Sequence, residues 1–287
     1  MSVEQPSISQ EEPIEEAPQS RVILKEHADL PHPNPYEEWE KQAPVFESIK
    51  KMGGMEQFAH ALPDIEEAFH LEDHCVRCMD EGTPGGIHLA GSGILMDEAK
   101  AVEAMRAAHA DGVYSHDGCG AAALYAKKMG LDASKSDEYG VIWAKHLAEL
   151  LDVPYKGNIE KKKMKRPEDF HYARVAYYDG TGSFDPTRVA DLPPGFVISR
   201  RLIDAEAATS EADIATSIAT GHHGYSELIT ADEPFYIVPV GDPSDPNFSV
   251  EKLSKELDEI VAKSGGKVKV MGFTKPVAKT EQAQEAA

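Results

Sequence analysis

The chain has 287 residues with 50 acidic and 29 basic side chains, a formal net charge of −21, and room for one large domain or two small ones. So acidic a surface repels phosphate backbones and anionic lipid, which argues against nucleic acid and membrane as partners. There is no apolar run of transmembrane length and no signal-peptide core, and three cysteines confined to 75–119 suit reduced thiols at a site better than a disulfide framework, so a cytoplasmic protein is expected.

Residues 1–35, rich in Glu, Gln, Ser and Pro, read as a disordered acidic tail whose one apolar cluster is Val22-Ile23-Leu24. Residues 36–72 read as an N-terminal helical arm of two helices, 36–52 and 55–71, interrupted at Gly53-Gly54 and Pro63. Trp39, Phe46, Ile49 and Phe58 give that arm enough apolar surface to cover a second subunit, and a homodimer or a multiple of one is expected. From 73 to 275 strands and helices alternate, followed by a polar, disordered tail over 276–287. Strands are expected at 74–79, 87–95 (strand and turn), 113–115, 174–178, 196–199, 235–240 and 267–273. Helices are expected at 97–111, closed by Gly112, and at 119–129 and 139–151. Two more are expected at 210–222, with Ser210 and Asp213 as a capping box, and at 249–263. This pattern implies an α/β fold, a mostly parallel sheet flanked by helices on both faces, with ligands at the carboxyl ends of its strands. No internal repeat is visible. The basic run Lys161–Arg166 reads as a solvated loop.

Both chemistry-bearing segments fall at strand ends. Cys78-Met79-Asp80 closes the first strand, and His116-Asp117-Gly118-Cys119 begins 38 residues after Cys78. Two thiolates and one imidazole form a three-ligand set for zinc, whose fourth position stays open for water in catalytic sites. Metal-bound water is acidified towards neutral pH, and Asp80 is the natural neighbour to orient it, so a zinc hydratase or hydrolase is expected. Cys119 stands at a helix start, where the dipole favours thiolate. Cys75 is turned to the opposite face of its strand and reads as a structural thiol. Gly85-Gly86 and Gly91-Ser92-Gly93 let backbone pass close to the pocket, with Ala90 and Leu95 as an apolar wall. His222-His223 offers a proton relay or a second metal pair, although adjacent histidines at a helix end are more often surface residues. Tyr177, Tyr178 and Asp179 either line the site or pack in the core.

The CxD motif, the Gly-rich stretch TPGGIHLAGSGIL and the HxxC-Gly-Ala segment resemble the β-class carbonic anhydrases, most closely the limiting-CO2-inducible protein B branch. The resemblance covers residues 73–125 by motif and 36–273 by element order. It implies that Cys78, His116 and Cys119 bind zinc, that Asp80 accepts a hydrogen bond from the zinc-bound water, and that CO2 and bicarbonate are substrate and product. It also implies protomers paired with the metal site near their boundary. The family pattern is CxDxR, its Arg holding the Asp off the metal; here that position is Gly82. Arg77, Arg106, Arg174, Arg200 and Arg201 are the replacements considered. Two other functions compete: hydrolysis of carbonyl sulfide or carbon disulfide, and a non-catalytic zinc-bearing assembly subunit, which the missing Arg favours.

Overall fold

From residue 73 onward the alternating strands and helices build two all-parallel sheets. The computed structural model describes residues 34–83 and 85–277; most of the acidic tail, with Val22-Ile23-Leu24, and residues 278–287 lie outside the described residues. In the first sheet β1 (Cys75–Cys78) lies between β2 (Ile87–Leu89) and β3 (Gly112–His116), with β4 (Tyr155–Ile159) beyond β3. In the second, β5 (Val175–Asp179) lies between β6 (Gly195–Ile198) and β7 (Phe235–Gly241), while β8 (Val268–Val270) and the short β9 (Phe273–Thr274) both pair with β7. Every pairing is parallel. The sheets meet where Val197 N–H donates to the Met79 carbonyl at 3.0 Å and Ser199 N–H to the His88 carbonyl at 3.3 Å. Strand β4 has no counterpart among the expected elements. Its Lys156-Gly157-Asn158 centre shows no apolar alternation, because an edge strand needs backbone partners on one side only.

Eight helices among the described residues flank these sheets: α1 (Pro35–Met52), α2 (Met55–Ala61), α3 (Glu98–Ala107), α4 (Gly120–Lys128), α5 (Ser136–Leu151), α6 (Ala205–Thr220), α7 (Val250–Glu256) and α8 (Asp258–Lys263). Side-chain alternation makes both faces of the second sheet apolar. Val175, Tyr177, Val197 and Val238 join Phe46, Ile49, Met55 and Phe58 of α1 and α2 in one core cluster. Ala176, Tyr178, Phe196 and Ile237 join Ala208, Ala212 and Ala215 of α6 in another. The arm helices therefore cover their own chain. Trp39, Phe46, Ile49 and Phe58, expected at a subunit contact, are all buried within it. The Arg174 guanidinium lies over the rings of Trp39 and Phe46, 3.5 and 3.9 Å from their centroids, and pairs with Glu233 at 2.9 Å. The apolar surface of the arm no longer argues for a dimer.

Several element ends differ from expectation for local reasons. Helix α6 starts at Ala205 because Asp204 caps it, its side chain accepting the Ala207 N–H, so Ser210 lies inside the helix. Helix α3 stops at Ala107, with His109 rather than Gly112 in the left-handed conformation at φ +54°, and Gly112 opens β3. The helix expected over 55–71 ends at Ala61, and a 3-10 turn (Ile65–Phe69) follows Pro63. The last helix breaks at Leu257 into α7 and α8. No helix among the described residues is long and apolar enough to cross a membrane.

Candidate metal centre

Parallel pairing brings the carboxyl ends of β1 and β3 side by side, so Cys78 and His116 arrive together. The next turn is tight: Gly118 sits at φ +68°, a conformation glycine adopts at no steric cost, and it swings Cys119 to the cap position of α4. The two sulfurs and an imidazole nitrogen lie within 4.8 Å of one another, all three residues buried. Cys78 Sγ and Cys119 Sγ are 4.0 Å apart. Two sulfurs bound at about 2.3 Å to a tetrahedral zinc stand about 3.8 Å apart, close to this spacing. His116 Nδ1 bonds to the Asp117 carbonyl at 2.9 Å, and Nε2 is buried without a hydrogen-bond partner. An orphaned nitrogen beside two facing sulfurs is a donor set suited to a metal ion. Either sulfur could donate to the other. The hydrogen bond from Cys78 and the backbone N–H groups of Ala122 and Ala121 push the Cys119 thiol down, while that same bond and burial push Cys78 up. A cation between them would deprotonate both.

The strained turn after β2, the 3-10 segment Ala90–Gly93, closes one side of the site. Gly91 N–H donates to Cys78 Sγ at 3.2 Å. A Cβ on Gly91 would stand 3.4 Å from Cys119 Sγ and 3.0 Å from the Ala121 methyl, so backbone passes against both sulfurs there. Gly85 and Gly86 do not share this role: a Cβ on either would meet Arg77, which is on the opposite strand face from Cys78. Leu95 lines a surface cleft of about 380 Å³ with Leu124, Lys128 and Ile214.

Asp80 is buried and its carboxylate is held by a cation that sequence reasoning missed. Arg166 Nε donates to Oδ1 at 2.8 Å and Nη2 to Oδ2 at 3.0 Å, a two-point clasp from 86 residues away. Gly82 N–H adds a third donor to Oδ1 at 2.8 Å. Burial opposes the charge, but His171, His116 and Arg166 outweigh it and hold the carboxyl well below the usual range. Arg166 belongs to the run read as solvated, and its side chain is only 6% exposed. The loop crosses the site: Lys161 N–H bonds to Asp117 Oδ2 at 3.3 Å, and Lys165 N–H to the Gly82 carbonyl at 3.0 Å. A Cβ on Gly82 would stand 2.8 Å from Arg166 Cγ and 2.9 Å from Met164 Cε. Gly82 is not in the left-handed region, so its missing side chain provides space, and Arg166 occupies that space. The only local trace of this contact in the sequence is the glycine at position 82, which leaves the space that Arg166 fills.

None of the five arginines first considered reaches Asp80. Arg77 clasps Asp73, Arg106 donates to the Leu150 carbonyl, Arg174 pairs with Glu233, Arg200 with Glu256, and Arg201 with Asp242. Beside Asp80, the buried Glu81 accepts from His171 Nδ1 at 2.9 Å and from Tyr172 N–H at 3.0 Å. Cys75 faces away from Cys78 as expected. Its thiol donates to Asp111 Oδ1 at 3.0 Å, and burial and that carboxylate push it up to about 12, so it stays protonated. His222 and His223 are exposed. Tyr177 and Tyr178 pack in the two cores and donate to the Pro193 carbonyl and Glu256. No protein-family model, curated protein or solved structure matches the chain.

Proposed function

We propose that the protein is a zinc-dependent enzyme of the β-class carbonic anhydrase kind, catalysing reversible hydration of CO2 to bicarbonate. The observation that carries this reading is the Arg166–Asp80 clasp beside the buried Cys78, His116 and Cys119. Two soft thiolates and an imidazole favour zinc over magnesium or calcium. Zinc, when bound, acidifies a water and stabilises developing negative charge. The protein's own groups do the rest. His171, His116 and Arg166 together keep Asp80 ionised, and the Arg166 clasp restrains it from turning onto the ligand set. Asp80 Oδ2 has one close donor, Arg166, which leaves acceptor capacity for a proton-bearing group in the pocket. The Ala90-Gly91 backbone passes close to both sulfurs. The non-catalytic reading rested on the Arg missing from position 82 and on the long acidic N-terminal segment; Arg166 weakens the first ground, and the second lies mostly outside the described residues.

Zinc content and stopped-flow CO2 hydration at pH 7 to 9 test this. The wild type should carry about one zinc per chain by this ligand count. Asp80→Asn should keep zinc and lose about 10²-fold in rate, as for a positioned acid–base group. A metal-free wild type, or equal rates for the two proteins, refutes the reading. Turnover of carbonyl sulfide without CO2 hydration would move the assignment to the sulfide hydrolase.

A further inference from the structure

The Ala90–Gly93 turn holds backbone strain beside the metal centre. Gly91 at φ +55° and Ser92 at φ +56° are both left-handed, and Ser92 does so with a side chain. Four hydrogen bonds hold the turn there. Gly91 N–H donates to Cys78 Sγ at 3.2 Å, Ser92 Oγ to the Tyr114 carbonyl at 2.8 Å, Trp143 Nε1 to the Ser92 carbonyl at 2.9 Å, and Ala90 N–H to Glu211 Oε1 at 2.7 Å. Glu211 is the anomaly. It is 4% exposed on the face of α6 that carries Ala208, Ala212 and Ala215, and its second oxygen is buried with no partner. Burial pushes its carboxyl up to about 8, with only the Ala90 N–H opposing. An apolar residue would serve packing at this position better, since an under-bonded carboxyl in an apolar core costs on the order of a few kcal/mol. A buried, under-bonded carboxyl that bonds the backbone beside the candidate ligands is a candidate functional residue.

We propose that Glu211 is a positioning residue of the metal centre: it fixes the Ala90-Gly91 turn so that the Gly91 N–H donates to the Cys78 sulfur. This rests on the reading of Cys78, His116 and Cys119 as metal ligands. A backbone N–H aimed at a ligating thiolate spreads its charge and tunes its donor strength, and loss of such outer-sphere support costs 10- to 100-fold in metal affinity. Glu211 and Gly91 act on adjacent peptide groups, so a slack Ala90 releases Gly91 as well.

Cobalt(II) bound to the full-length chain reads this directly, through the thiolate-to-cobalt charge-transfer band and chelator competition. Glu211→Leu and Glu211→Ala remove the acceptor; Glu211→Gln keeps it. The first two should shift the band and weaken cobalt binding about 10- to 100-fold, while Gln stays near wild type. Circular dichroism establishes that each variant is folded, and the Ala variant serves if Leu does not fold. A folded Leu or Ala variant with the wild-type band and affinity overturns the proposal and leaves the metal site standing. A Gln variant that shifts as far as Leu also overturns it. A wild-type chain that binds no cobalt overturns the metal reading itself.

Discussion

The two sheets share one topology and differ in what their strand ends carry. In each, the second strand lies beside the first, followed by the third and fourth, all parallel. In each, a 3-10 turn and a helix follow the second strand: Ala90–Gly93 with α3, and Arg200–Leu202 with α6. Two helices follow the third strand, α4 and α5 in the first half, α7 and α8 in the second. Each first strand runs into an aspartate that caps a turn, Asp80 accepting the Gly82 N–H at 2.8 Å and Asp179 the Thr181 N–H at 2.7 Å. There the likeness stops. Asp80 meets Arg166 and stays ionised, whereas Asp179 has only hydroxyl and backbone donors from Thr181, Gly182 and Phe184, and burial pushes its carboxyl up. β3 ends in His116 with Cys119 just beyond, while β7 ends in Val240-Gly241. Parallel topology creates a place for chemistry at the carboxyl edge; the residues set there decide whether it is used.

The largest effect should separate the halves outright. Cys119→Ala should cut metal affinity by more than about 100-fold, since it removes a ligand and not merely its support. Asp179→Asn should leave the metal content unchanged while lowering the unfolding midpoint. Equal metal loss in both would erase the distinction between the sheets. Next in size is the cation that distinguishes the two aspartates. Arg166→Ala removes the two-point partner of the buried Asp80 charge, leaving the Gly82 N–H and the nearby His171 and His116, and should cost up to about 3–5 kcal/mol in denaturant unfolding. Gly82→Arg alone should also destabilise, because Arg166 fills that space. The double variant should recover part of both losses, with a coupling of about 1 kcal/mol or more; strictly additive losses would show that the two positions do not share one site.

The smallest effect is one of pH. The Glu211 carboxyl sits at about 8 when folded against an ordinary 4.5, so the folded state holds that proton more tightly than the unfolded chain. Its presence therefore subtracts stability progressively as pH rises from 4.5 towards 8, by an amount on the order of a few kcal/mol once fully ionised. Glu211→Gln lacks this penalty, so its melting temperature relative to wild type should climb between pH 5 and pH 9. A difference that stays flat across that range would mean the carboxyl is not buried as described.

The three side chains that could hold a metal, Cys78, His116 and Cys119, were legible because their signal is local. Cys78 and His116 fall at the ends of expected strands, and Cys119 follows three residues after His116 at an expected helix start, so each is marked by its immediate neighbours. Helix α1 and the parallel character of the fold were legible for the same reason. The division into two sheets, the burial of α1 and α2 on their own chain, the Arg166–Asp80 clasp and the Glu211–Ala90 contact were not. Arg166 stands 86 residues from Asp80, and Glu211 stands 121 from Ala90. Closing so long a loop costs little more than closing a short one, so a partner can come from almost anywhere in the chain and leaves no periodic trace. Sequence alone determined which side chains could hold a metal. Tertiary packing decided which cation guards Asp80, because the space left by Gly82 is filled by whichever side chain the fold delivers to it.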